Sequence, residues 1–181
     1  MSHATPLCNE EPMDICEPEN RPGVDEADFR SALGRFASGV TVVTSLVGNT
    51  SPIGATVTAF SSVSLDPPLV LFCLTSESAT FTAIKETGKC AINILAEDQE
   101  HLSRAFSQRL VDWNGVDATP GENKVPLLDG TVATIEAEIQ DIHPGGDHSI
   151  FVALVTRVET TDREPLLHHR GAYAAVSRHR A

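Results

Sequence analysis

The sequence predicts a mainly β domain whose antiparallel strands close into a barrel, with short helices at its edge. Three observations carry this. β-Branched and apolar runs (VTVVTSLV, LVLFCL, CAINILA, SIFVALVTRVET) outnumber the helical patterns. Most are joined by hairpin signals such as Gly48-Asn49 and the HPGGDH turn from His143 to His148. The helical stretches are short, and no internal repeat is present. At 181 residues, 41% of them hydrophobic, the chain suits one domain with a substantial core.

Residues 1–24 are rich in Pro, Glu and Asn and have no period, so they are expected to form a mobile tail ahead of a folded domain over 25–181. Asp25 and Glu26 open a helix, where acids suit the dipole. Phe29, Leu33 and Phe36 follow at helical spacing and give it one apolar face, and Gly39 ends it. VTVVTSLV is a strand, Gly48-Asn49 a turn, and Pro52 to Phe60 the answering strand. After Pro67-Pro68, LVLFCL is continuous and apolar, as in a strand buried on both faces. SESATFTAIKETG is a short helix with Ser76 or Ser78 as N-cap and Gly88 as its end. CAINILA is another buried strand, and EDQEHLSRAF a helix with acids first and Arg104 last. A long loop from Ser107 to Asp129 holds the only Trp, Trp113. TVATIEAEIQDI alternates, with Val132, Thr134, Glu136 and Glu138 on one face and Ile135, Ala137 and Ile139 on the other. SIFVALVTRVET returns, and a short strand near Tyr173 closes the chain.

Charge and motifs exclude several functions. With 25 acidic and 13 basic residues the net charge is −12, which is wrong for neutralising nucleic-acid phosphate or docking on anionic lipid. No apolar run approaches the roughly 20 residues of a membrane span. The start of the chain lacks the basic head and apolar stretch of a secretory signal, so a cytoplasmic location is expected. None of Cys8, Cys16, Cys73 and Cys90 forms a CxxC. Cys73 and Cys90 read as core residues in a reducing compartment, and Cys8 and Cys16 as incidental parts of the tail. No GxGxxG follows a strand, and no GxxxxGK[ST], GxSxG or HExxH occurs. His143, Asp147 and His148 could ligate a metal, but turn chemistry explains them better, and no metal site is expected. His168-His169 reads as a solvated loop pair.

The stretch GATVTAFSSVSLDPP, Gly54 to Pro68, raises the functional question. A strand beside a core spends Thr56, Thr58, Ser61, Ser62 and Ser64 on hydroxyls, each needing a partner once out of water. Either an acceptor-rich ligand or plain edge-strand chemistry accounts for them. Ser76, Ser78 and Thr80 then stand at the start of a helix, where backbone N–H groups favour an anion. Together the two segments make a cradle for a phosphorylated heterocycle, or an N-cap beside an edge strand.

The ordered series FASGVTVVT, GATVTAFSSVSLDPPLVLFCL, TFTAIKETGKCAINIL, DQEHLSRAF, PLL, GGDHSIFVALV and PLLHHRGAY resembles the flavin reductase family with the FMN-binding split-barrel fold. The resemblance covers roughly residues 25–176. Proteins of this family are the reductase components of two-component flavin monooxygenases. It implies a homodimer of split barrels that takes hydride from NADH or NADPH, passes it to FMN or FAD, and hands reduced flavin to a monooxygenase. Carried over by position, Thr56, Val57, Thr58, Ala59, Ser62, Val63 and Ser64 lie along the flavin ring and ribityl chain. Thr75, Ser78 and Thr80 lie near its phosphate. His148 falls on the nicotinamide side; a turn-flanking histidine tied to the barrel rim is the other reading. Tyr173 matches an aromatic near the flavin, or packs in the core. Trp113 covers a partner subunit's flavin or packs on its own barrel. Val57 and Thr58 stand where the family commonly has Ala and Asn. Glu77 stands where a basic residue is common, and is expected to point outward, away from a phosphate.

The mechanism implied places nicotinamide C4 about 3–3.5 Å from flavin N5, with no side-chain nucleophile. Backbone N–H groups and hydroxyls near the N1–C2=O edge stabilise negative charge on the reduced ring. A split-barrel protein that binds flavin or haem without turnover, and a self-contained flavoenzyme with another acceptor, are the alternatives.

Overall fold

The computed structural model describes residues 23–48, 50–109 and 111–177. The expected tail up to residue 22, with Cys8 and Cys16, and the turn residue Asn49 lie outside the described residues. In chain order the elements are α1 (Glu26–Leu33), β1 (Ser38–Gly39), β2 (Thr41–Val47), β3 (Ser51–Val57), β4 (Phe60–Leu65), β5 (Pro68–Thr75), α2 (Ala79–Thr87), β6 (Lys89–Ile94), α3 (Glu100–Phe106), β7 (Ala118–Pro120), β8 (Pro126–Leu128), β9 (Ala133–Gly145), β10 (His148–Thr160), β11 (Leu167–His169) and β12 (Ala172–Ala174).

Seven strands form one antiparallel sheet in the order β3-β2-β6-β9-β10-β5-β4. Its two outer strands, β3 and β4, are consecutive in the chain and separated only by Thr58 and Ala59. Two linking residues reach about 10 Å, so the edges must meet and the sheet must curl. The result is a split barrel, mainly β with short helices, as the strand count predicts. The strand expected to run unbroken from Pro52 to Phe60 therefore breaks at Thr58-Ala59, where the chain changes edges.

The barrel core is apolar. Phe72 on β5 and Phe151 on β10 are directly paired and stack at 5.0 Å, and Phe81 of α2 meets Phe151 edge-on at 5.5 Å. Val43, Ile84, Cys90, Ile92 and Ala153 close around them. Burial pushes the Cys90 thiol up to about 12, so it stays protonated. β5 is not buried on both faces. Val70, Phe72 and Leu74 face the core, whereas Leu69, Leu71 and Cys73 are half-buried, and Cys73 borders a cleft.

The helices follow their local signals with one exception. Ser78 caps α2, its hydroxyl accepting from the Phe81 amide at 3.1 Å, and Gly88 ends it in the left-handed region. Asp25 caps α1, accepting from the Ala27 and Asp28 amides. The apolar spacing predicts an α1 reaching Gly39 with one buried face. Instead α1 ends at Gly34 and buries none of its residues; Phe29, Leu33 and Phe36 are exposed. The Gly34 carbonyl accepts from the Arg170 amide at 2.7 Å, which turns the chain away to pair as β1 with β11.

The loop from Ser107 to Asp129 contains a small hairpin, β7–β8, laid across the outer face of the main sheet. Thr134 and Glu136 on the polar face of β9 are buried, while Glu138 farther along is exposed. Thr44 Oγ1 donates to the Pro126 carbonyl, the Leu128 amide donates to Asn93 Oδ1 at 2.8 Å, and the Asn123 amide donates to Glu136 Oε2 at 2.8 Å. Glu136 is 2% exposed, and its Oε1 has no hydrogen-bond partner among the described residues; Arg157 Nε lies 3.8 Å away. Gly121 has to be glycine there, since a Cβ would stand 2.6 Å from that carboxylate. His168 and His169 are half-buried members of β11 rather than a solvated loop, with the His168 ring edge-on to Tyr173 at 5.8 Å. No helix among the described residues is long and apolar enough to cross a membrane.

Candidate functional site

A cleft of about 940 Å³ opens beside the barrel, at the upper end of the size range for small-molecule and cofactor sites. One wall is built from β3 between Pro52 and Thr56, the end of β5 from Cys73 to Thr75, the first turn of α2, and His148 at the start of β10. The other wall is the end of α3 and the loop after it, Phe106 to Trp113.

Each wall has a local cause. Antiparallel pairing sets His148 opposite Thr75, so the rim of β10 and the end of β5 arrive together. The Ser76 amide donates to the Asp147 carbonyl at 3.1 Å, and the Ser76 and Ser149 hydroxyls lie 2.9 Å apart. These bonds carry the chain from β5 into α2 beside the HPGGDH turn. Gly54 admits the other wall: a Cβ there would meet the Phe106 ring at 2.9 Å. Phe106 in turn holds Trp113 edge-on at 5.0 Å. Trp113 thus packs on its own barrel and lines the cleft at once.

The cleft gathers Thr56, Thr75, Ser78, Thr80 and His148 from the residues the resemblance singles out. It leaves the others outside. Val57 is buried in the core cluster, and Thr58 and Ala59 are exposed at the edge-changing break. Ser62, Val63 and Ser64 belong to the outer strand β4. Tyr173 stands behind α3, its hydroxyl 2.9 Å from that of Ser103 and its ring under Arg104 at 5.1 Å. It reaches the cleft only through the next bond inward, Thr56 Oγ1 donating to the Ser103 carbonyl at 2.7 Å. The Thr56 hydroxyl proton is therefore committed to α3, which leaves only its lone pairs for a ligand.

Glu77 is exposed and is among the residues that line the cleft. Gly54, Cys73 and Phe106 are among the cleft residues that sequence reasoning missed, and Arg109 gains a place there. Cys73 had a usable signal, because it shares a strand face with Thr75 two residues on. Burial raises its thiol above the ordinary cysteine value, so at neutral pH it is a neutral neighbour and not a nucleophile. His148 Nδ1 lies 2.8 Å from Asp147 Oδ1. Hydrogen bonding to His148, then its charge, hold the Asp147 carboxyl below the usual aspartate range. The Asp147 side of the contact is ionised above that range, and its charge is lost as pH falls through the lowered value. Among the described residues no three His, Cys, Asp or Glu side chains come together to hold a metal ion.

The description "Flavin reductase like domain" fits residues 33–177 of the sequence. The chain belongs to this family. An NADH:FMN oxidoreductase of Rhodococcus erythropolis is 39% identical over 184 residues, covering 95% of this chain and 91% of its own length. The reductase subunit HsaB of a flavin-dependent monooxygenase of Mycobacterium tuberculosis is 36% identical over 157 residues, covering 84% and 83%. Among solved structures, the Streptomyces globisporus NADH:FAD oxidoreductase SgcE6, in complex with NAD and FAD fragments, superposes with a TM-score of 0.80 at 35% identity, covering 84% of this chain and 93% of that one.

The cleft suits the ligand class of a flavin reductase-like domain. Trp113, half-buried and backed by the Phe106 ring, offers flat apolar surface for a ring. The Ala79 and Thr80 amides precede the first intrahelical bond, from the Thr82 amide to the Ser78 carbonyl, and are left without helical partners. Thr80 is 3% exposed, lines the cleft, and has no partner for its hydroxyl among the described residues. These donors suit a phosphate.

Thr56→Val should cost about 0.5–1.5 kcal/mol of stability, because it cuts β3 from α3 while the Ser107 amide still serves the Ser103 carbonyl. Urea unfolding reads this. An unchanged midpoint together with weakened flavin affinity would assign the hydroxyl to ligand alone.

Proposed function

We propose that the chain is an NADH-dependent flavin reductase whose cleft takes flavin and nicotinamide together and supplies reduced flavin to a partner monooxygenase. One observation carries it: in a member of this family, unpartnered N–H and hydroxyl donors at the start of α2 share a cleft with apolar surface and a rim histidine. Relatives named NADH:FMN oxidoreductase and NADH:FAD oxidoreductase support the donor and the choice of flavins. A relative named as the reductase subunit of a monooxygenase supports the partner. The reductase unit is residues 25–181, and a cytoplasmic site of action fits the free thiols of Cys73 and Cys90.

Flavin, when bound, supplies the acceptor for a hydride from reduced nicotinamide. The protein's own residues bind and orient. Thr75, Ser78 and Thr80, with the Ala79 and Thr80 amides, hold the phosphate end. β3 and the Phe106–Trp113 wall confine the ring, with Thr58, Ala59, Ser62, Val63 and Ser64 at the neighbouring barrel edge, Val57 backing β3 from the core and Tyr173 supporting α3 from behind. His148, held by Asp147, orients the nicotinamide carboxamide by a hydrogen bond. No residue has to abstract a proton, which agrees with a cleft whose thiol is neutral.

Purified protein with NADH and excess FMN or FAD should oxidise NADH steadily, and a chain beginning at residue 25 should match it. Flavin binding without turnover, or turnover only with an added organic acceptor, contradicts the assignment.

His148→Ala should slow flavin reduction or raise the NADH KM by about 1–3 kcal/mol of transition-state energy, with flavin affinity little changed. Stopped-flow reduction and a melting curve read this together. Lost thermal stability with normal reduction would return His148 to the role of a turn anchor.

The functional form is a homodimer. Phe29, Leu33, Phe36, Val63 and Leu65 are apolar and exposed, more than a free surface of this kind ordinarily carries. Sedimentation should give the mass of two chains at micromolar concentration; a single-chain mass there contradicts it.

A further inference from the structure

The two fixed charges lining the cleft, Glu77 and Arg109, stand on opposite walls. Neither forms an ion pair with the described residues. Glu77 directly precedes the N-cap Ser78 of α2. It stands at the positive end of a nine-residue helix, where an acid offsets the dipole. That is also where an anionic ligand would be held. The start of α2 has a second mark of a ligand site in Thr80, a residue only 3% exposed that lines the same cleft and whose hydroxyl has no partner among the described residues.

We propose that Glu77 is a specificity-determining residue that weakens the hold on the flavin phosphate and so makes flavin an exchanging substrate rather than a resident group. This rests on the reading of the cleft as the flavin site. An exposed carboxylate on the α2 N-terminus competes with phosphate for the helix field and repels a dianion. The oxidised ring, which is neutral, does not feel it. Binding is thereby divided: apolar walls and β3 position the ring for hydride transfer, while the phosphate end stays loose enough for reduced flavin to leave. Arg109 attracts the same phosphate, but its contribution is common to every Glu77 variant and cancels in the comparison.

The test compares FMN with riboflavin, which has the same ring and no phosphate, on wild type, Glu77→Gln and Glu77→Asp. Dissociation constants come from quenching of flavin fluorescence, and FMN release rates from stopped flow. Glu77→Gln should tighten FMN about three- to tenfold at low salt, slow its release by a similar factor, and lose the gain at high salt. Riboflavin affinity should not move, and Glu77→Asp should keep the wild-type FMN-to-riboflavin ratio. An unchanged FMN constant in Glu77→Gln, or equal shifts for FMN and riboflavin, overturns the proposal and leaves Glu77 a helix-end acid. Wild-type protein that binds neither flavin overturns the underlying site reading instead, and is recognised without any variant.

Discussion

The pairing of β10 with β5 is the constraint on which the rest of the molecule depends. Its register sets Phe151 against Phe72 in the core and, three positions along, His148 against Thr75 at the rim. One ladder therefore fixes the packing and the site together. Because side chains alternate, the face of β5 opposite Phe72 carries Cys73 and Thr75 into the cleft. A slip of one residue would put Phe72 in the cleft and Cys73 in the core. The stack of Phe72 and Phe151, worth about 0.5–1.5 kcal/mol beyond its burial, guards against that slip.

Much of the fold was legible because its elements carry strong local chemistry. The α2 boundaries follow from Ser78 and Gly88, and the β9–β10 turn from Gly145-Gly146-Asp147. What escaped depends on contacts distant in sequence. The exposed apolar face of α1 looks like a core helix because spacing cannot reveal that the chain leaves for β11 at Gly34. The burial of Thr134 and Glu136 on β9 was not legible because nothing local says that a hairpin will cover them. The site divides the same way. Thr56, Thr75, Ser78, Thr80 and His148 converge as the family pattern implies, whereas Gly54 and Arg109 gain a place only through the packing of α3 and the loop after it.

The cleft is built for holding rather than for covalent chemistry. Its one thiol is neutral, its threonine hydroxyl is spent on α3, and its histidine is tied to a neighbouring aspartate. On the proposed reading such a site works by proximity, setting two flat rings face to face while the ligands bring the electrons. The two walls differ in what holds them. The β3–β5–α2 wall is part of the barrel ladder and its caps. The Phe106–Trp113 wall is fastened by an aromatic contact made possible by Gly54 and by the Thr56–Ser103–Tyr173 series of hydrogen bonds. Those bonds tie Tyr173, remote from the cleft, to its α3 wall.

A crystal structure of the protein grown with FMN tests the central claim most directly. The account predicts ring density between Thr56 and Cys73 on one side and the Phe106–Trp113 wall on the other, with the phosphate at the Ala79 and Thr80 amides and His148 beside the exposed ring face. Flavin bound elsewhere, or with its phosphate directed away from the start of α2, would contradict it.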